Sequence, residues 1–275
     1  MSYSYDALLL SLLALCLIYT GAMAGLLAGL LGVGGGIVIV PVLFIIFELL
    51  DIPQEISMHL AVATSLATII PTSISSARAH MAKGTVDRDL LRGWAPMIFI
   101  GAGIGGLLSR YLESSMLTLI FGVIALLVSL NMFRHKAMVV ADALPKGPVG
   151  YGVVPGLIGT FSALMGIGGG TLSVPTLSAF SVPVHRAVGT ASAFGLVIAV
   201  PAVLGFIWSG WGNPLLPPLS LGYVSIPAAV LIFSTSVLTA PYGAKIAHAM
   251  NPIMLRRAFA FFLLLSSLNM LRSVF

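Results

Sequence analysis

The sequence predicts an all-α fold, a polytopic bundle of transmembrane helices made of two related halves. Three observations lead there. Of the 275 residues, 59% are hydrophobic and 8% are charged, and the mean hydropathy is +1.10. A soluble domain carries about 25% charged residues, so these charges are too few to clothe a globular surface, and the apolar residues face lipid. The apolar residues also come in long runs separated by short charged or Pro/Gly breaks. Finally, the chain repeats itself: GVGGGIVIVP (32–41) returns as GIGGGTLSVP (166–175).

Taken in order, the first run is Ala7 to Leu31. No Lys or Arg precedes it, Asp6 is acidic, and no small-residue cleavage site follows, so it is expected to be a retained helix and not a signal peptide. It holds the chain's single cysteine, Cys16, which excludes an internal disulfide and a Cys-based metal cluster. The following runs are 35–50, 57–77, 93–109 and 114–133, then 149–165, 169–182, 187–209, 221–244 and 253–272. Several fall short of the roughly 20 residues needed to cross a bilayer. The shortest, 149–165 and 169–182, are expected to be broken half-helices or a re-entrant hairpin, with eight full spans as the alternative to ten. Pro41, Pro71, Pro175, Pro201 and Pro241 fall inside apolar runs, where they are expected to kink or end helices.

The charges orient the bundle. With the 78–92 loop in the cytoplasm, Arg78, Lys83, Arg88, Arg92, Arg134, Lys136, Lys146, Arg186, Lys245, Arg256 and Arg257 all fall inside. Only Arg110 and Arg272 fall outside, together with Asp51 and Glu55. This is the positive-inside pattern, and it accounts for the formal charge of +5 without a nucleic-acid partner. Arg78, His80, Lys83, Arg88 and Arg92 are expected to form a cytoplasmic basic cluster. The topological rule explains them, and a funnel that gathers anions is the alternative.

Two further matches extend the repeat. His59-Leu-Ala-Val-Ala-Thr64 corresponds to His185-Arg-Ala-Val-Gly-Thr190, and Ser129-Leu-Asn-Met132 to Ser267-Leu-Asn-Met270. Three matches in one order imply duplication. The expected organisation is a first repeat over 1–133, a cytoplasmic linker over 134–148 and a second repeat over 149–275. Five segments per repeat is an odd number, so the second enters the membrane from the opposite side, as in many transporters.

The candidate site follows from the repeated motifs. Consecutive glycines cost about 1 kcal/mol each in a helix, and backbone that leaves the helix inside a membrane must be buried in protein or line a polar cavity. Gly34, Gly35 and Gly36, and Gly168, Gly169 and Gly170, are therefore expected to break helices, with a new helix starting after each. A helix start presents free N–H groups and a positive dipole end, which suit an anion. Close helix packing through small residues explains the same glycines. Thr64, Ser65, Thr190 and Ser192 are hydroxyl candidates beside such a site. His59 and His185 are candidates for a coupled proton, or for plain helix caps. No Walker A sequence follows either motif, so ATP hydrolysis is not expected.

The segments GLLAGLLGVGGGIVIVP (25–41), GLIGTFSALMGIGGGTLSVP (156–175), HLAVATS (59–65) and ARAHMAKGTVDRDLL (77–91) resemble the TauE/SafE family of sulfite exporters over nearly the whole chain. The resemblance implies a secondary transporter of the bacterial cytoplasmic (inner) membrane, exporting sulfite, sulfoacetate-like or related organosulfur anions, coupled to the proton gradient. The expected partners are that anion, protons and the lipid bilayer, with homo-oligomerisation left open and no cofactor or metal. A passive pore for a small solute is the alternative. An intramembrane enzyme is not expected, because no nucleophile–base or metal motif is present. A cation carrier is not expected either, because the spans are nearly free of acids.

Overall fold

The computed structural model describes residues 7–133, 140–145, 147–246 and 252–274, with only the backbone course for 252–259. Arg134, Lys136 and Lys146 of the expected linker lie outside the described residues, as do the side chains of Arg256 and Arg257.

The described residues are almost wholly helical. The first half comprises α1 (Ala7–Leu31), α2 (Gly36–Leu49), α3 (Gln54–Ala82), α4 (Arg88–Leu108) and α5 (Ser114–Phe133). The second comprises α6 (Val154–Leu164), α7 (Gly170–Ala179), α8 (Val184–Gly210), α9 (Ile226–Ile246) and α10 (Pro252–Arg272). A π-turn (Val149–Val153) leads into α6, and a two-residue hairpin of β1 (Ser220–Leu221) and β2 (Val224–Ser225) leads into α9.

Among the described residues, six helices are long and apolar enough to cross a membrane: α1, α3, α4 with the turn after it, α5, α8 and α9. By contrast α2 and α7 have 14 and 10 residues. At 1.5 Å per residue they rise about 21 Å and about 15 Å, less than the roughly 30 Å of a bilayer core. The runs 35–50 and 169–182 are therefore half-helices, each beginning at a glycine motif. The prolines do not end helices: Pro41, Pro71, Pro175, Pro201 and Pro241 all lie inside them.

The inner pair is α3 and α8, each 72% buried over its most apolar stretch, against 22% for α1 and 33% for α5 and α9. Both inner helices start directly after a proline of nearly equal conformation, Pro53 (φ −53°, ψ 133°) and Pro183 (φ −54°, ψ 134°). The outer helices turn Leu8, Leu15, Tyr19, Leu127 and Leu238 outward, a surface that only lipid tolerates.

Packing comes in related pairs. α1 lies along α9 and α6 along α4; α9 lies against α3 and α4 against α8; α2 rests on α3 and α7 on α8. The close crossings use small residues and carbonyls, as membrane helices do. Gly243 meets the Leu26 carbonyl and Gly105 the Thr160 carbonyl. Thr239 donates to the Ala22 carbonyl (2.9 Å) and Thr160 to the Gly101 carbonyl (3.0 Å).

The bundle has two chemically distinct ends. At one, His59 reaches the carbonyls of Ser109 and Leu112, and the Thr64 hydroxyl accepts the Ser225 N–H. Asp51 and Glu55 belong to this end, just before and at the start of α3. At the other, Lys83 bonds the Ala244 carbonyl and Arg186 pairs with Asp87.

Candidate functional site

The two glycine turns cross each other at the middle of α3. Gly36 and Gly170 are so close to the opposite turn that a methyl on Gly36 would run into the Gly166 carbonyl, and one on Gly170 into the Gly32 carbonyl. A methyl on Gly34 would lie 2.9 Å from the Gly168 Cα. Ile69 of α3 closes the crossing, near both Gly34 and Gly36. The turns are related but not identical. Gly32, Gly34 and Gly35 have left-handed φ of 66°, 76° and 77°, whereas in the second turn Gly166 does (66°) and Gly169 is helical (φ −56°).

These glycines are tightly packed. A methyl on Gly35 would lie 2.7 Å from the Ala24 carbonyl, and one on Gly169 2.6 Å from the Ala191 carbonyl. Close packing is thus one reason for the glycines, and the helix starts of α2 and α7 are brought to the same place by it.

Ser65 joins this centre, donating to the Gly166 carbonyl (2.7 Å). Ser192 is buried and donates to the Gly189 carbonyl one turn back (2.6 Å). Thr64 and Thr190 lie beside residues that touch the turns, Val62 at Gly166 and Val188 at Gly32, but their hydroxyls are engaged with other partners. Each ties down a helix start in the other half. The Thr64 hydroxyl accepts the N–H of Ser225, just before α9 (3.0 Å). The Thr190 hydroxyl accepts the N–H of Asp87, just before α4 (2.9 Å), and donates to the Arg186 carbonyl (2.8 Å). The structure therefore does not bring the two threonines together.

The histidines also part company. His59 is buried, bonded through Nε2 to the Ser109 and Leu112 carbonyls (3.0 and 3.1 Å), with its ring 4.7 Å from that of Tyr223. His185 is exposed. His80, expected in the surface cluster, is buried instead, between the Gly29 carbonyl (Nε2, 2.9 Å) and the Thr85 hydroxyl (Nδ1, 3.3 Å). It ends a polar stripe on α3. Ser65, Thr68, Thr72, Ser76 and His80 are all buried and recur every three or four residues, which places them on one face. Thr72 pairs with Ser236 (2.6 Å) and Ser76 donates to the Ala28 carbonyl (3.2 Å). That helical spacing is legible in the sequence and points to these residues, although the motifs drew attention elsewhere.

A family model described as sulfite exporter TauE/SafE matches residues 17–270. The chain belongs to the TauE/SafE sulfite exporter family. Curated relatives of this TauE/SafE chain agree in kind. A probable membrane transporter protein of Haemophilus influenzae is 36% identical over 259 residues, covering 93% of this chain and 97% of its own length. A probable membrane transporter protein of Methanocaldococcus jannaschii is 30% identical, covering 87% and 88%. A third, YunE of Bacillus subtilis, is 32% identical over 197 residues, covering 63% and 71%. No solved structure matches the chain. Among the described residues no group of His, Cys, Asp and Glu is placed to hold a metal ion. The crossing of the two broken helices in this TauE/SafE protein, a multi-pass membrane transporter, presents backbone and hydroxyl groups.

Proposed function

We propose that the chain is a secondary transporter that exports small anions such as sulfite or organosulfonates, driven by the proton gradient, with its two halves acting as inverted repeats. One observation carries this reading: two glycine turns, one from each half, meet at the centre and send out half-helices toward opposite ends. The shared packing pattern supports the inversion, since the pairings of α1 with α9, α2 with α3 and α3 with α9 have counterparts in α6 with α4, α7 with α8 and α8 with α4. Among the described residues, Lys and Arg lie toward the ends of the bundle and none near the crossing. An anion held there relies on N–H groups, hydroxyls and helix dipoles, which suits a carrier that must also let go. Gly34–Gly36 and Gly168–Gly170 frame the substrate, Ser65 and Ser192 line its approaches, and Thr64 and Thr190 act through the helix starts they hold. His59, buried, is better placed than exposed His185 to carry the coupled proton. The basic end faces the cytoplasm, by the positive-inside rule.

The test is flux of labelled sulfite in proteoliposomes with an imposed proton gradient. Flux that follows the gradient and saturates is expected. Flux indifferent to the gradient would favour a passive pore.

A further inference from the structure

Five buried side chains near the second glycine turn have polar atoms with no hydrogen-bond partner: Ser73 of α3, Trp94 of α4, Ser162 of α6, and Thr171 and Ser173 of α7. None is more than 3% exposed. Leaving such groups unpaired costs about 1–3 kcal/mol each, and each one in a native protein calls for an explanation. The glycine turn does not require them. In the aligned first repeat the places of Ser162, Thr171 and Ser173 are taken by Ala28, Ile37 and Ile39. The two turns share a backbone plan, and the second has been given polar surroundings.

Two of the five meet one patch on α8, and a third stands one turn from it. Trp94 stacks on Phe194, with ring centroids 6.0 Å apart and planes at 16°. Ser73 touches the next residue, Gly195, where a methyl would run into its hydroxyl. Gly169 lies against the same two residues, for a methyl there would sit 2.6 Å from the Phe194 Cβ and 3.0 Å from the Gly195 nitrogen. Ser173 donates its backbone N–H to the Gly169 carbonyl (3.0 Å), so it stands one helical turn above Gly169 on the same face of α7. Gly169 is also the N-cap of α7, which puts the first free amides of that helix beside the patch.

We propose that Ser73, Trp94 and Ser173, with the first turn of α7, form the oxyanion-binding site, a proposal that rests on the transporter reading above and assigns its substrate contacts. An indole N–H donates and cannot accept, so the ligand atom facing it is an acceptor, which excludes a metal ion or an ammonium. Both serine hydroxyls are able to donate as well. Three donors match the three oxygens of a pyramidal or planar oxyanion, and the dipole of α7 supplies the favourable field. The first turn, lined by Ile37 and Ile39, offers no comparable set. The site is therefore single and belongs to one side of the crossing.

Trp94→Phe keeps an aromatic ring and removes the N–H, with some loss of volume at a fully buried position; Ser73→Ala and Ser173→Ala remove only a hydroxyl. Each would be purified in detergent for melting with and without sulfite, sulfate, sulfoacetate, nitrate and acetate, then assayed for sulfite transport in proteoliposomes. Without ligand, melting of the two serine variants should be unchanged or higher, because an unpaired donor has been removed, while Trp94→Phe should melt lower through the volume it loses. The shift produced by the preferred anion should shrink, and its KM should rise fivefold or more. Lower melting with unchanged KM in all three would make them structural and overturn the site. A wild type that none of these anions stabilises would overturn it too. If sulfite has no effect but another oxyanion does, and the variants lose that effect, the site stands and the sulfite assignment falls.

Discussion

At the scale of single residues, what decides the centre of this protein is the lack of a side chain. Gly34 and Gly84 have similar left-handed backbones, φ 76° and 67°, but different neighbours. Nothing lies within 4 Å of a methyl on Gly84, whereas one on Gly34 would press on the Gly168 Cα at 2.9 Å. Gly84→Ala should therefore cost only the backbone strain, about 1–2 kcal/mol. Gly34→Ala should add an overpacking cost of about 1–3 kcal/mol. Thermal melting of the two variants side by side checks this, and equal losses would mean that the turns separate easily. By the same packing, Gly35→Leu and Gly169→Leu should fail to assemble, in place of folding with an empty site. The exposed Asp87–Arg186 pair is a lesser contributor, since such pairs give about 0–1 kcal/mol.

At the scale of elements, the threonines matter as ties between helices. Thr64 on α3 holds the entry to α9, and Thr190 on α8 holds the entry to α4. Asp87 also caps α4 with its side chain, accepting the N–H groups of Asp89 and Leu90 at 3.1 Å each. Valine keeps the shape of threonine and leaves the tied N–H without its acceptor. Each Thr→Val change should cost about 1–3 kcal/mol. Thr64→Val should lie at the upper end, because its bond is buried while that of Thr190 is only part-buried. Unfolding of the purified proteins measures both. If the two variants are as stable as the parent, water or a neighbour replaces the hydroxyl and the ties are dispensable. Both bonds join one half to the other.

For the whole molecule the decisive relation is between its two ends. Asp51–Glu55 and Val86–Leu90 lie at opposite ends of α3. In a Cys16→Ser background, single cysteines in those two segments should label from opposite sides of the membrane, Asp51–Glu55 from outside. Labelling of both from one side would contradict the inverted arrangement. The half-helices α2 and α7 leave this parity unaltered, because each returns toward the end from which its preceding helix entered.

Composition and run length by themselves determined that this is a helical membrane protein, because neither lipid exposure nor the count of charges depends on tertiary contacts. The repeat of GVGGG and GIGGG was visible too, and with it the place where helices break, since a glycine run is costly in a helix wherever it sits. Sequence periodicity also held the polar face of α3, at Ser65, Thr68, Thr72, Ser76 and His80. Only the tertiary structure decided which groups meet. It gave the hydroxyls of Thr64 and Thr190 separate partners, at Ser225 and Asp87, though their motifs align, buried His59 while leaving His185 exposed, and took His80 from the surface to the Gly29 carbonyl. It also gathered Ser73, Trp94 and Gly169, the N-cap of α7, which share no motif, around Phe194 and Gly195. Local sequence specifies where a helix starts and which face is polar; which neighbour that face receives depends on how separate helices pack, and that is a property of the folded bundle.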